Sequence, residues 1–146
     1  MMFFVQFSID QHLPGVEIYR ESFRKHQHRP APPPLAIDFT FCDRDAGRAE
    51  ELARRHIAGY YLSVIKHYEF NEDYHAKLKG YENYADASRM LRETGLDKAA
   101  EAYAMEQAFG TPQQVLDKLE RRRAKLGDFE WNVCASFAGK IGRASW

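Results

Sequence analysis

The chain has 146 residues, enough for one ordinary domain, and its 45% hydrophobic and 29% charged residues make it globular rather than disordered. Lys plus Arg and Asp plus Glu both number 21, a balance that gives no electrostatic reason to expect nucleic acid or an anionic membrane as partner. Two cysteines, Cys42 and Cys134, make no disulfide framework. The apolar start over residues 1–5 lacks a basic flank and soon meets Asp10, which argues against a signal peptide or a span; a reducing cytoplasm with free thiols is the expected setting.

Residues 1–7 read as a buried strand. A helix follows over 13–27, with Val16, Tyr19 and Phe23 at helical spacing and Pro14 near its start. Glu17 and Glu21 lie ahead of Arg20, Arg24 and Lys25, as the helix dipole favours. Pro30, Pro32, Pro33 and Pro34 give a stiff extended connector. Residues 35–42 form the second strand, with Ile37, Phe39, Thr40 and Phe41. Asp38 is the one charge inside it; a buried carboxylate needs a partner, and a structural ion pair is the ordinary solution.

Asp43 then caps a long helix. Its apolar face runs through Ala46, Ala49, Leu52, Ala53, His56, Ile57, Tyr60, Tyr61, Val64 and Ile65, with His56 as a core histidine. Residues 67–80 are polar and aromatic and read as irregular or short helical turns. Two further helices cover 84–94 and 96–109, broken at Gly95. Gly110-Thr111-Pro112-Gln113-Gln114 opens the best-specified element: Thr111 as N-cap, Pro112 at the first helical position, Gln114 completing a capping box. Val115, Leu116, Leu119 and Leu126 give its apolar stripe, and Arg121, Arg122 and Arg123 read as a solvated face. Gly127 ends it, and Phe129, Trp131 and Val133 alternate with Glu130, Asn132 and Cys134 in a third strand over 129–137. Strands alternating with helices imply parallel pairing and right-handed crossovers.

The Gly110-Thr111-Pro112-Gln113-Gln114 stretch, continued to Leu119, resembles the helix start before the last barrel strand of the luciferase-like monooxygenase family. Three other stretches resemble that family in the same order: residues 19–24, 33–50, and 59–81 with Gly59-Tyr60-Tyr61 and His67-Tyr68-Glu69-Phe70. The resemblance covers roughly residues 1–139. It implies an α/β fold, a partial (β/α)8 TIM barrel of about three parallel strands with a helical insertion after the second. Those strands correspond to the family's strands six, seven and eight. A whole barrel takes about 250 residues, so the expectation is a truncated chain, with residues 140–146 as an atypical tail.

The family are flavin-dependent oxidoreductases and monooxygenases. The resemblance therefore implies FMN or a deazaflavin as cofactor, and a small-molecule substrate where a full barrel is completed. Barrel enzymes work at the carboxyl ends of their strands. That makes Gln6, Ser136 and Gly139 candidate cofactor-binding residues, and Phe7, Phe41, His67, Tyr68 and Phe137 a candidate substrate pocket. No catalytic residue can be named. His67 and His75, eight apart with no partnering motif, give no metal site. Cys42 and Cys134 fall on neighbouring strands if the second and third strands pair, and read as small hydrophobes rather than a redox pair. The alternative, from another class, is a non-catalytic α/β module whose open strand edges bind a second copy or a partner.

Overall fold

The apolar start becomes strand β1, Met2–Phe4, in the computed structural model, which describes residues 1–70, 72, 77–80 and 82–134, without the side chains of 82–87. Contacts divide the chain into two units: residues 1–53 with 106–134, and residues 54–105.

In the first unit β1 pairs in parallel with β2, Leu35–Phe39, and β2 pairs in parallel with the final strand, β5, Glu130–Cys134. A separate parallel pair joins β3, Phe41–Cys42, to β4, Phe109–Gly110. The expected strand over 35–42 is thus broken at Thr40, and its last two residues leave for a second sheet. Helix α1, Ile9–Gln27, starts four residues ahead of expectation and encloses Pro14. The reason is burial: Ile9 and Val16 join Val5, Ala36 and Leu126 in the core, with Phe3, Leu13 and Phe129 packed against it. Removing that much apolar surface from water outweighs the single backbone bond that Pro14 forgoes. Helix α2, Ala46–Ala53, follows β3 and buries Ala49 and Ala53.

Helix α6, Pro112–Leu126, begins as the sequence dictates. Thr111 Oγ1 accepts from Gln114 N–H at 3.3 Å, and Gln114 Oε1 accepts from Thr111 N–H at 2.8 Å. Its buried stripe differs from the expected one. Leu116 is 53% exposed, whereas Val115, Arg122 and Leu126 are buried and Leu119 is half-buried. Arg122 therefore leaves the solvated face assigned to it. Positions 115, 119, 122 and 126 are the ones that fall on one side of a helix, and Leu116 is not among them.

The second unit is helical. A five-residue π-helical turn, Arg54–Ala58, leads into α3, Gly59–Tyr68. Then come α4, Glu82–Thr94, and α5, Leu96–Glu106, whose last residue belongs to the first unit. Tyr61 stacks on Tyr103 with ring centroids 4.5 Å apart, Arg54 pairs with Glu101, and Ser88 Oγ donates to the Phe70 carbonyl at 2.6 Å. His56 lies in the π turn and is only half-buried. The expected helix over 96–109 ends at Glu106, because Phe109 and Gly110 pair with β3 instead. No helix among the described residues is long and apolar enough to cross a membrane.

Candidate ligand-binding rim

Every strand of the first unit is parallel to its neighbour, so the carboxyl ends of β1, β2 and β5 lie on one rim of their sheet. Ligands of open parallel sheets sit outside such ends. Gln6 and Phe7 follow β1; both are exposed, Phe7 at 53%, with its ring tilted toward His12 at 6.3 Å. Thr40 follows β2, and Phe41, half-buried, starts β3. The rim therefore offers aromatic surface and one exposed amide side chain.

Beneath it lies a buried polar node. Asp38 is fully buried, and the Arg122 guanidinium reaches both of its oxygens, with Nη2 to Oδ1 at 3.0 Å. Trp131 Nε1 donates to Asp38 Oδ2 at 2.9 Å, and Arg122 Nη2 also donates to the Glu106 carbonyl. The partner that a carboxylate inside a strand requires is thus an arginine and an indole. Lys118 Nζ donates to the Gln107 carbonyl at 2.7 Å and lies over the Phe109 ring at 5.7 Å. Burial, then the nearby Arg122 charge, lowers its pKa to about 8.

His12 stacks on Phe3 with centroids 4.7 Å apart, and its Nε2 is buried with no hydrogen-bond partner among the described residues. Burial first, then Arg122, lowers its pKa below the ordinary 6.5, against a smaller opposing pull from Glu106. A depressed histidine binds fewer protons folded than unfolded. Its contribution is whole above about pH 6.5 and is lost as pH falls through the folded-state value. The His12→Phe variant, which keeps the stack, is expected to show a shallower fall in urea midpoint below about pH 6.5 than the parent chain. Equal slopes would remove His12 as the cause.

Of the residues singled out by sequence, Gln6, Phe7 and Phe41 are placed at the first unit's strand ends. His67 and Tyr68 form the last turn of α3 in the second unit, exposed and edge-on to each other at 5.0 Å. Ser136, Phe137 and Gly139 lie outside the described residues, as does His75. Cys42 and Cys134 are both free, but they are not cross-strand neighbours. Cys134 aligns with Phe39 and Cys42 with Gly110, because the chain changes sheets at Thr40. Cys42 is exposed, so it does not act as a core hydrophobe. Among the described residues no group of three or more His, Cys, Asp or Glu is placed to hold a metal. Gln107, Lys118 and Arg122 were not anticipated; only Arg122, at stripe spacing from Val115 and Leu126, carried a signal.

No protein-family model matches the chain, and no curated protein matches it. Among solved structures, the fold is similar to that of monooxygenase RslO1 from Streptomyces bottropensis, at 14% identity and a TM-score of 0.54. The match takes in 93% of this chain and 34% of that one, so the chain spans about a third of that structure's length. At this identity the likeness is one of fold: mixed α/β with parallel strands in a small sheet.

Proposed function

We propose that the chain is the carboxyl-terminal strand–helix portion of a luciferase-like (β/α)8 oxidoreductase, and that its strand ends receive a flavin, FMN or a deazaflavin, beside a small-molecule substrate. The observation that carries this reading is the all-parallel strand–helix order, matched over 93% of the chain to a monooxygenase. The exposed aromatic Phe7 stands at the rim where such a fold works.

The described residues fit one part of a flavin better than the other. Phe7 and Phe41 give apolar surface for a planar ring, and the Gln6 amide can donate to or accept from its polar edge. A phosphate fits poorly at two of the three helix starts of this unit; the third, that of α1 after β1, has no side-chain cap. The α2 start is filled by its own carboxylates, with Arg48 N–H on Asp45 Oδ1 at 2.6 Å and Asp45 N–H on Asp43 Oδ1 at 3.0 Å. The α6 start is closed by its capping box. A bound flavin supplies the redox chemistry; the contribution of this rim is to bind the ring and keep water off one face. Titrating the chain with riboflavin, FMN and a deazaflavin, read by flavin fluorescence and melting temperature, tests it. Quenching by all three, weakened by Phe7→Ala, is the expected result. No response to any of the three sinks the reading.

A further inference from the structure

The hydrogen-bond ladder between β1 and β2 is regular and then interrupted. Leu35 N–H donates to the Met1 carbonyl at 2.9 Å and Val5 N–H to the Ile37 carbonyl at 3.0 Å, the alternate-residue pattern of a parallel pair. The next bond in that pattern would run from Phe39 N–H to the Val5 carbonyl. In its place stands the side chain of Gln107, which is fully buried. Its Oε1 accepts from Phe39 N–H at 3.0 Å and its Nε2 donates to the Val5 carbonyl. A side-chain amide has the donor and acceptor of a peptide group. It satisfies both strands while replacing one hydrogen bond by two in series, so the strands part by the width of an amide. β1 ends at Phe4, one residue before Val5, and Gln6 N–H turns back onto the Phe4 carbonyl at 2.9 Å. Gln107 is held from behind, because Lys118 and Arg122 bind the carbonyls of Gln107 and Glu106.

We propose that Gln107 is a removable wedge, and that the seam between the carboxyl ends of β1 and β2 has two states: open with the amide inserted, and zipped with Phe39 N–H bonded directly to the Val5 carbonyl. Both states satisfy those two backbone groups, which is what keeps the zipped form within reach. On zipping the Gln107 amide loses both of these partners, which favours the open state. The open seam sets the spacing between Gln6 and Phe7 on one strand end and Thr40 and Phe41 on the other. The consequence for ligand binding rests on the rim reading above; the wedge itself does not.

Isotope-labelled full-length chain tests this by nuclear magnetic resonance. In the parent chain a scalar coupling across the hydrogen bond should join Phe39 N to Gln107 Cδ. Relaxation dispersion should report one shared exchange rate at Val5, Phe39 and the Gln107 side-chain amide. In Gln107→Met the coupling should pass to the Val5 carbonyl carbon, with Phe39 amide exchange within about tenfold of the parent rate. Flat dispersion at all three sites in the parent chain overturns the proposal. So does a folded Met variant whose Phe39 amide exchanges freely with no coupling to Val5. If that variant does not fold, the parent's dispersion decides alone. A seam that zips in a chain giving no flavin signal keeps the wedge and removes only the rim reading.

Discussion

Arg122→Ala is expected to destabilise the first unit by about 3–5 kcal/mol, the range for removing one partner of a buried ion pair. Against a total of about 5–15 kcal/mol for an ordinary domain, that is from about a fifth to all of the stability, and the urea midpoint should fall in proportion. The loss arises less from the pair itself than from what is left behind. Asp38 is fully buried, and without the guanidinium its remaining hydrogen-bond partner among the described residues is the Trp131 indole. The Glu106 carbonyl loses the same guanidinium. The control is the double variant Asp38→Leu with Arg122→Met, which removes both charges and keeps the volume. It should sit well above the single variant and within about 1–2 kcal/mol of the parent, since apolar replacement of a whole buried pair is often neutral or stabilising. If Arg122→Ala shifts the midpoint no more than a surface change does, the pair is not what secures α6 to the sheet.

Arg122 also shows why part of this fold is legible in the sequence and part is not. The α6 start could be read off because Thr111, Pro112 and Gln114 touch one another within a single turn. The same locality makes the strand–helix alternation, and with it parallel pairing, an accessible inference. Arg122 looks wet by residue type, and its partner Asp38 is 84 residues away. The two oddities, a charge inside a strand and an arginine at stripe spacing, answer each other, but only a fold shows that they meet. The break at Thr40 has the same origin: Phe41 and Cys42 have a strand composition, and the sheet they join depends on β4. Gln107 is further out of reach. It contacts Val5 and Phe39, 102 and 68 residues away, and sits in a stretch whose local pattern continues the helix. Phe7 and Phe41 could be assigned to strand ends once the strands were parallel, whereas the buried Asp38–Arg122–Trp131 node could not, since its members are joined only by tertiary contacts.

Gly110→Ala should be the next most damaging single change, at roughly 2–4 kcal/mol from backbone strain together with damage to the helix cap. Gly110 has φ +134°, a conformation that residues with a side chain rarely adopt. A Cβ there would lie 2.8 Å from Gln114 Cβ and 2.7 Å from Gln114 Oε1. Gln114 cannot simply swing aside, because Oε1 is the acceptor for Thr111 N–H and closes the capping box. Nor can Gly110 relax freely: it pairs with Cys42 in the β3–β4 ladder, and its carbonyl accepts from Asp43 N–H at 3.2 Å. The clash with the Gln114 amide can be told apart from the rest. Gln114→Ala alone should lose about 1 kcal/mol of cap. If the clash with the Gln114 amide dominates, Gly110→Ala and Gln114→Ala together should cost clearly less than their sum, because the second change removes the amide and keeps only the Cβ at 2.8 Å. Additive losses would assign the effect to φ and to the Gln114 Cβ contact rather than to the amide, and a Gly110→Ala chain as stable as the parent would show that this junction of strand and helix yields far more readily than its contacts imply.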